Sequence, residues 1–362
     1  MGGWSSNDDK IIEQGELGAK DKSHITSVIQ VLYNIKNFKT YFIQNDYDKN
    51  SNKHLSILMK KIISTPVKKL DFIQESIEIS KILRKEYNIN IGKTPGEILI
   101  QILLVLKYEE KEIKTQNWEK YVLNDQMLFN NLTDSKKALN DILDLNKEHF
   151  NTNFSAMFFG IFWVKRKMQS KNDVLNFYNF YCVYELNMPL IYQNMMNKGK
   201  IRNDNDSYLP QVNLIDCIKE MQETQNEIFN NENCSTQYFM FNAPNILIFF
   251  LKSDAENFET FRGNILFNEN MDFSPVIQNT QSNRFKLISL INKDRYKSKV
   301  QDNKGAQWMS NPDDDKKSNY RAVFLDEKEM FGYYGKNNSI NNCELIIGDI
   351  EYYHEILIFM RC

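Results

Sequence analysis

GELGAKDKSHITSVIQVLYNIKNFKTYF, Gly15 to Phe42, is the stretch from which the rest of the 362-residue chain can be placed. Its second half predicts an amphipathic helix. Ile25, Val28, Ile29, Leu32 and Tyr33 recur at the three- and four-residue spacing that gathers apolar side chains on one face. Its first half is short and polar and delivers Ser23 to the helix start. A side chain there feels unpaired N–H groups and the positive end of the helix dipole. An enzyme would use that position to lower the pKa of a thiol. This chain puts a hydroxyl there.

Outward from that helix, helical periodicity continues through Leu55–Ile63, Leu70–Tyr87 and Thr94–Lys107. The last opens on Thr-Pro-Gly-Glu, a start signal with proline at the first helical position. Tyr108–Phe150 is charged and Asn-rich, with a helix predicted at Ser135–Leu143. Phe154–Ile191 carries strand-like aromatic runs, Asn176–Leu186 and Pro189–Tyr192. LIDCIKEMQETQ, Leu214–Gln225, reads as a helix. APNILIFFLKS, Ala243–Ser253, reads as a buried strand, since its apolar run is short and opened by Ala-Pro-Asn. The C-terminal third reads as strands at Phe285–Ile291, Tyr320–Leu325, Cys343–Ile347 and Glu355–Met360. Helices followed by strands predict an α+β protein.

Composition excludes several classes. A hydrophobic fraction of 42% and a charged fraction of 25% are ordinary for a soluble globular protein. A formal net charge of -2 gives no electrostatic case for nucleic acid. Five cysteines (Cys182, Cys217, Cys234, Cys343, Cys362) stand at unpaired spacings. With no secretory signal, an odd count argues for a reducing compartment, cytoplasmic or nuclear. The longest apolar run, Phe154–Val164, is too short for a membrane span and reads as buried structure. MGGWSS at the N-terminus fits the N-myristoylation pattern through Gly2 and Ser6. One acyl chain without a basic cluster would bind a membrane only weakly, and the plainer reading of Met1–Gln14 is a flexible tail. No Gly-rich phosphate loop is present, and no cofactor is expected.

The opening stretch resembles the cysteine box of the ubiquitin-specific proteases, the papain-like deubiquitinases, G-L-x-N-L-G-N-T-C-Y-M-N-S-x-L-Q-x-L. Gly15, Ser27, Gln30 and Leu32 match it, and Ile29 is conservative. KTPGEILIQILLVL resembles the family's Q-Q-D-A-H-E-F-L-x-x-L-L box through Glu97, Leu99 and Leu103, with Ile102 conservative. The Leu214 segment resembles S-L-x-D-C-L-x-x-F. The buried strand resembles L-P-x-V-L-I-I-H-L-K-R-F through Pro244, Leu247, Ile248, Leu251 and Lys252, with Ile246 conservative. ENMDFSPVI, Glu269–Ile277, resembles the strand and turn that follow, and EILIFMRC at the end resembles A-Y-I-L-F-Y-x-R.

The resemblance implies a papain-like fold of the ubiquitin-specific protease type over residues 15–362. It would have a helical thumb (15–150), fingers (151–245) and palm strands (246–362), preceded by a tail (1–14). On the family's motifs the active-site cysteine falls on Ser23 and the oxyanion-hole asparagine on Gly18. The G-N-T before the nucleophile has become Lys20, Asp21 and Lys22. In KDRYKSKVQDNKGAQWMSNPDDD, from Lys293, Tyr296 and Trp308 fix the alignment and the general-base histidine falls on Arg295. A guanidinium stays protonated and cannot accept the nucleophile's proton. The third triad position falls near Pro312 or Asp313, where a carboxylate has no imidazole to orient. Family fingers often hold structural zinc on two C-x-x-C pairs. Here the first pair falls near Met168–Lys171, without cysteine, and only Cys234 stands near the second, so zinc is not expected.

These readings predict a catalytically inactive member acting as a scaffold within an assembly of other protein subunits. The alternatives are a non-cleaving reader of ubiquitin or a ubiquitin-like protein, and an active hydrolase with relocated residues. Serine catalysis by Ser23 would need an adjacent base, and His24, next to it on a helix, points elsewhere. His54, His149 and His354 lie in unrelated contexts, and a structural or surface role is expected for His354.

Overall fold

The computed structural model describes residues 23–47, 51–110, 127–128, 152–168, 174–201, 211–223, 225–229, 232–253, 263–278, 282–294, 298–302, 305–309, 320–325, 330–334, 340–342 and 352–362. The expected N-terminal tail with Gly2, the Ser135–Leu143 helix and the Cys343–Ile347 strand lie outside them.

The N-terminal region is helical. α1 (Ser23–Asn34) and α2 (Lys36–Gln44) are separated by one extended residue, Ile35. α3 (His54–Ser64), a short 3-10 turn (Val67–Lys69), α4 (Phe72–Tyr87) and α5 (Pro95–Glu110) follow. Each boundary has a local cause. Asp71 Oδ1 accepts from Ile73 N at 3.0 Å and Gln74 N at 3.1 Å, which starts α4. Asn88, left-handed at φ 52°, stops it. The Thr-Pro-Gly-Glu signal is a capping box: Glu97 N donates to Thr94 Oγ1 at 3.3 Å, and Glu97 Oε2 accepts from Thr94 N at 3.2 Å.

Two larger sheets follow. Among the described residues, one has the strand order β1 (Met127–Leu128), β3 (Val174–Tyr181), β2 (Gly160–Met168), β7 (Glu232–Asn242), β6 (Gln225–Phe229). The other runs β16 (Ile340–Asn342), β15 (Phe331–Tyr334), β14 (Tyr320–Leu325), β11 (Arg284–Asp294), β17 (Tyr352–Arg361), β8 (Ile246–Lys252), β4 (Tyr184–Asn187), with β10 (Asn270–Asp272) added on β11. Its pairings are antiparallel except β4 with β8. Small pairs β5 (Gln211–Asn213) with β9 (Asn264–Leu266), and β12 (Ser298–Asp302) with β13 (Gly305–Met309), complete the strands described. α6 (Asn153–Phe158), α7 (Met188–Asn197) and α8 (Leu214–Gln222) lie between strands.

The strand read as buried is β8, and its alternation places it between two cores. Ile246, Ile248 and Phe250 join the core of the helical region, with Ile25, Leu32, Leu99 and Leu103. Leu247, Phe249 and Leu251 face the opposite core, with Leu214, Ile218 and Phe273. Neighbouring strands divide in the same way, Ile356 and Ile358 to one side and Leu357 and Phe359 to the other. A sheet covered on both faces reads as a continuous apolar run, which is why period-two patterning was absent.

Two expectations are corrected. Pro189–Tyr192 is the first half of helix α7, not a strand. Asn187 Oδ1 accepts from Leu190 N at 3.2 Å, and Pro189 needs no N–H in a first turn. The Asn176–Leu186 run is two strands in different sheets, β3 and β4, broken at Cys182–Val183.

The helical region is joined to the sheet and to itself at two tight points. A Cβ on Gly96 would lie 2.4 Å from the ring of Phe250, so α5 approaches β8 as only glycine allows. At the other end of α5, the buried Glu109 carboxyl accepts from Leu55 N at 2.7 Å, Ser56 N at 2.6 Å and the Tyr87 hydroxyl, holding the first turn of α3. Glu110 accepts from the Tyr41 hydroxyl at 3.0 Å and Thr152 Oγ1 at 2.7 Å. One helix end thus gathers α2, α3, α4 and the start of α6.

Gly96→Ala, which in a free helix gains up to about 1 kcal/mol, should here cost about 1–3 kcal/mol in denaturant unfolding, because Phe250 has nowhere to move. Burial raises the Glu109 pKa above the usual carboxylate value, outweighing the hydrogen bonds from Ser56, Tyr87 and Leu55 that lower it. A raised folded pKa means a contribution fully present below the unfolded value of about 4.3, and lost as pH rises through the folded value. The stability advantage of wild type over Glu109→Gln should therefore shrink as pH rises above about 4.3; an advantage that grows as pH rises would contradict it.

Candidate functional site

The resemblance would put a site between the start of α1 and the segment that follows β11, and these two elements contact each other. The helix is fixed there by burial. Ile25, Val28, Ile29, Val31 and Leu32 are each no more than 1% exposed. α1 packs against α4 and α5 on one side and against β14 and β11 on the other. Phe38 and Phe42 of α2 continue this packing into the same core, with Phe38 edge-on to Phe158 at 5.8 Å. The helix cannot slide or rotate without exposing apolar surface, so its first residue is held in place. That residue is Ser23, half-buried, inside the first turn and not the residue before it. The Ser27 hydroxyl in the next turn donates back to His24 O at 2.9 Å and so is satisfied within the helix. The first turn carries no acidic side chain.

The second half of the site is the exit of β11. Its last residues pair with β14 through Asn292↔Arg321 and Lys293↔Tyr320, and with β17 through Asn292↔His354 and Lys293↔Tyr353. The strand ends at Asp294, one residue before Arg295, and β12 begins at Ser298. Trp308 lies in β13, across from Lys299. Of the four positions the resemblance singles out, Ser23 is placed at the start of α1, and Gly18, Arg295 and Asp313 lie outside the described residues.

His354, on β17, is buried among Phe267 and neighbouring strands, and its Nδ1 is 2.8 Å from Asn292 Oδ1. Sequence reading missed this partner because the residues are 62 apart and meet only through strand register. An imidazole oriented by an amide is half of a thiol-hydrolase apparatus. The described thiols do not complete it. Cys182 and Cys217 are buried, and burial pushes both pKa values up to about 12, the wrong direction for a nucleophile. Cys234 is buried in the other large sheet, and Cys362 lies at the far end of β17. The His54 imidazole is on the surface, 3.5 Å from Glu86. Among the described residues no three His, Cys, Asp or Glu side chains come together as a metal site would need, and no helix is long and apolar enough to cross a membrane.

No protein-family model matches this sequence, and no curated protein matches it significantly. Solved structures do. The chain is similar to one from the yeast SAGA DUB module with a mutant Sgf73, at TM-score 0.57 and 9% identity over 98% of this chain and 74% of that one. It is similar to one from the SAGA Ubp8/Sgf11/Sus1/Sgf73 DUB module, at TM-score 0.55 and 10% identity over 98% of this chain and 72% of that one. A version of that module with mutant Ubp8 and truncated Sgf11 gives TM-score 0.57 and 11% identity, covering 100% and 72%. The chain has the mixed α+β fold of the ubiquitin-specific protease type.

Ser23 and Leu32 should behave oppositely on truncation. Ser23→Ala should change unfolding free energy by no more than about 1 kcal/mol and leave partner binding intact. Leu32→Ala, in the same helix but fully buried, should cost about 2–5 kcal/mol.

Proposed function

We propose that this chain is a non-catalytic protein of ubiquitin-specific-protease fold, serving as a scaffold subunit in an assembly of other proteins. One observation carries the reading: the fully packed helix that would present the nucleophile begins with Ser23, a hydroxyl in place of a thiol. A serine nucleophile needs an adjacent base more than a cysteine does, because its hydroxyl is far from ionised. The sequence position that the resemblance assigns to that base holds Arg295, which cannot take a proton. Gly18 likewise lacks the side-chain amide of an oxyanion hole. Raised thiol pKa values at Cys182 and Cys217 argue against a relocated nucleophile at either place.

Assembly is supported by the company of the similar structures, whose module holds Ubp8 with Sgf11, Sus1 and Sgf73. For this chain the partners follow as other protein subunits, in a reducing compartment, cytoplasmic or nuclear. Reading of ubiquitin without cleavage is the second possibility, since the large β extension of the fold is retained while Lys20, Asp21 and Lys22 replace the box's Gly-Asn-Thr.

Incubation of the purified chain with a ubiquitin vinyl or thioester probe should give no covalent adduct and no turnover. Any adduct above a heat-denatured control would overturn the non-catalytic reading. Labelled ubiquitin titrated into the same preparation should show no saturable binding for a scaffold; affinity of about 1 μM to about 100 μM would instead support the reader.

A further inference from the structure

In the five-stranded sheet, the strand register brings together the two places where the fold family often anchors structural zinc. Met168, at the end of β2, lies directly across from Cys234 at the start of β7. Among the described residues the donor set there is one thiol, one thioether and the Thr236 hydroxyl, which stands 3.7 Å from Cys234 Sγ. Four thiolate or imidazole ligands cannot be drawn from it. The residues present fit a different arrangement. Arg166 is buried on the same face, only 6% exposed. It pairs directly with Thr236 in the β2–β7 register, and its Nε donates to Thr236 Oγ1 at 3.2 Å. On the other side its guanidinium lies 4.9 Å from the ring centroid of Phe177, a diagonal neighbour on β3.

We infer that Arg166 replaces the metal as the cross-strand tie of this sheet, holding β3, β2 and β7 together through Phe177 and Thr236. The same hydroxyl contacts both the guanidinium and Cys234, so a divalent cation at Cys234 would sit beside a fixed, permanently protonated positive charge. A guanidinium suits the role because one planar group stacks on an aromatic face and donates in its own plane at once. Lysine, a point charge on a flexible stem, does not do both. The sheet is therefore built to form without zinc, and with its polar tie buried.

Three measurements on the full chain test this. Purified protein exposed to equimolar zinc and then desalted should retain less than about one tenth of a zinc per chain, and chelator should leave the melting temperature unchanged. Hydrogen exchange should show β2 and β7 amides at least about tenfold faster in Arg166→Ala, with α1 and β8 amides unchanged. Arg166→Lys should behave like Arg166→Ala. Stoichiometric zinc, a chelator-sensitive melt, or unaltered β2 and β7 exchange in Arg166→Ala would each overturn the inference. Should Arg166→Ala not fold, Thr236→Val, which keeps volume and removes the acceptor, should speed β2 and β7 exchange alone, and its failure to do so overturns the inference equally. Zinc binding would leave the non-catalytic reading untouched, because that reading rests on Ser23.

Discussion

Burial of α1 between the helical region and the sheet is the constraint on which the rest of the fold depends. One face packs on α4 and α5, the other on β14 and β11. No orientation of this helix other than the observed one buries Ile25, Val28, Ile29, Val31 and Leu32 together. At about 1.5–3 kcal/mol for each such side chain, that burial far outweighs anything its first residue contributes. The position of the helix start is thus set by the core, not by what stands there. Exchange of a thiol for a hydroxyl at Ser23 changes one atom at a half-buried site and leaves the packing alone.

The sheet places a matching demand on the helices. β8 is buried on both faces and separates two cores, so errors on either side would be felt on the other. Gly96 and Phe250 set how near α5 comes. At the chain's end Arg361 closes the sheet: its guanidinium lies over Phe285 and donates to Ala243 O at 2.5 Å and Ser282 O at 2.6 Å. Those two carbonyls precede β8 and β11, so one side chain at the end of β17 ties its own strand to the entries of both neighbours.

Much of this was legible because helices with a wide apolar stripe announce themselves. α1, α3, α4, α5 and α8 all fall where the spacing of apolar residues put them, and the Thr-Pro-Gly-Glu signal marked where α5 begins. Two kinds of information were not local. The Asn176–Leu186 run looked like one strand because its aromatic and apolar residues run almost without a break; only three-dimensional pairing shows that the chain changes sheets at Cys182–Val183. Pro189–Tyr192 looked extended as part of a strand-like aromatic region, yet Asn187 two residues earlier was the sign of a helix start. At the candidate site the sequence supplied the chemistry that Ser23 and Arg295 can offer. It did not supply the His354–Asn292 contact, which depends on β11–β17 register.

His354 also shows how polar order is kept inside the sheet. An imidazole needs a hydrogen-bonding partner when buried, and Asn292 across the ladder supplies one. That contact serves the Nδ1 side of the ring whether or not a nucleophile is near. Stability and chemistry are thus carried by different atoms: burial by the helix face and β8, polar contacts by Glu109, Arg166, Arg361 and His354, and the chemistry open to the site by what stands at the start of α1, here Ser23. The first two sets are coupled through packing, so losing one member disturbs the others. The third is coupled to them only by position. What stands at the start of α1 can therefore change while every contact that specifies the fold stays under constraint.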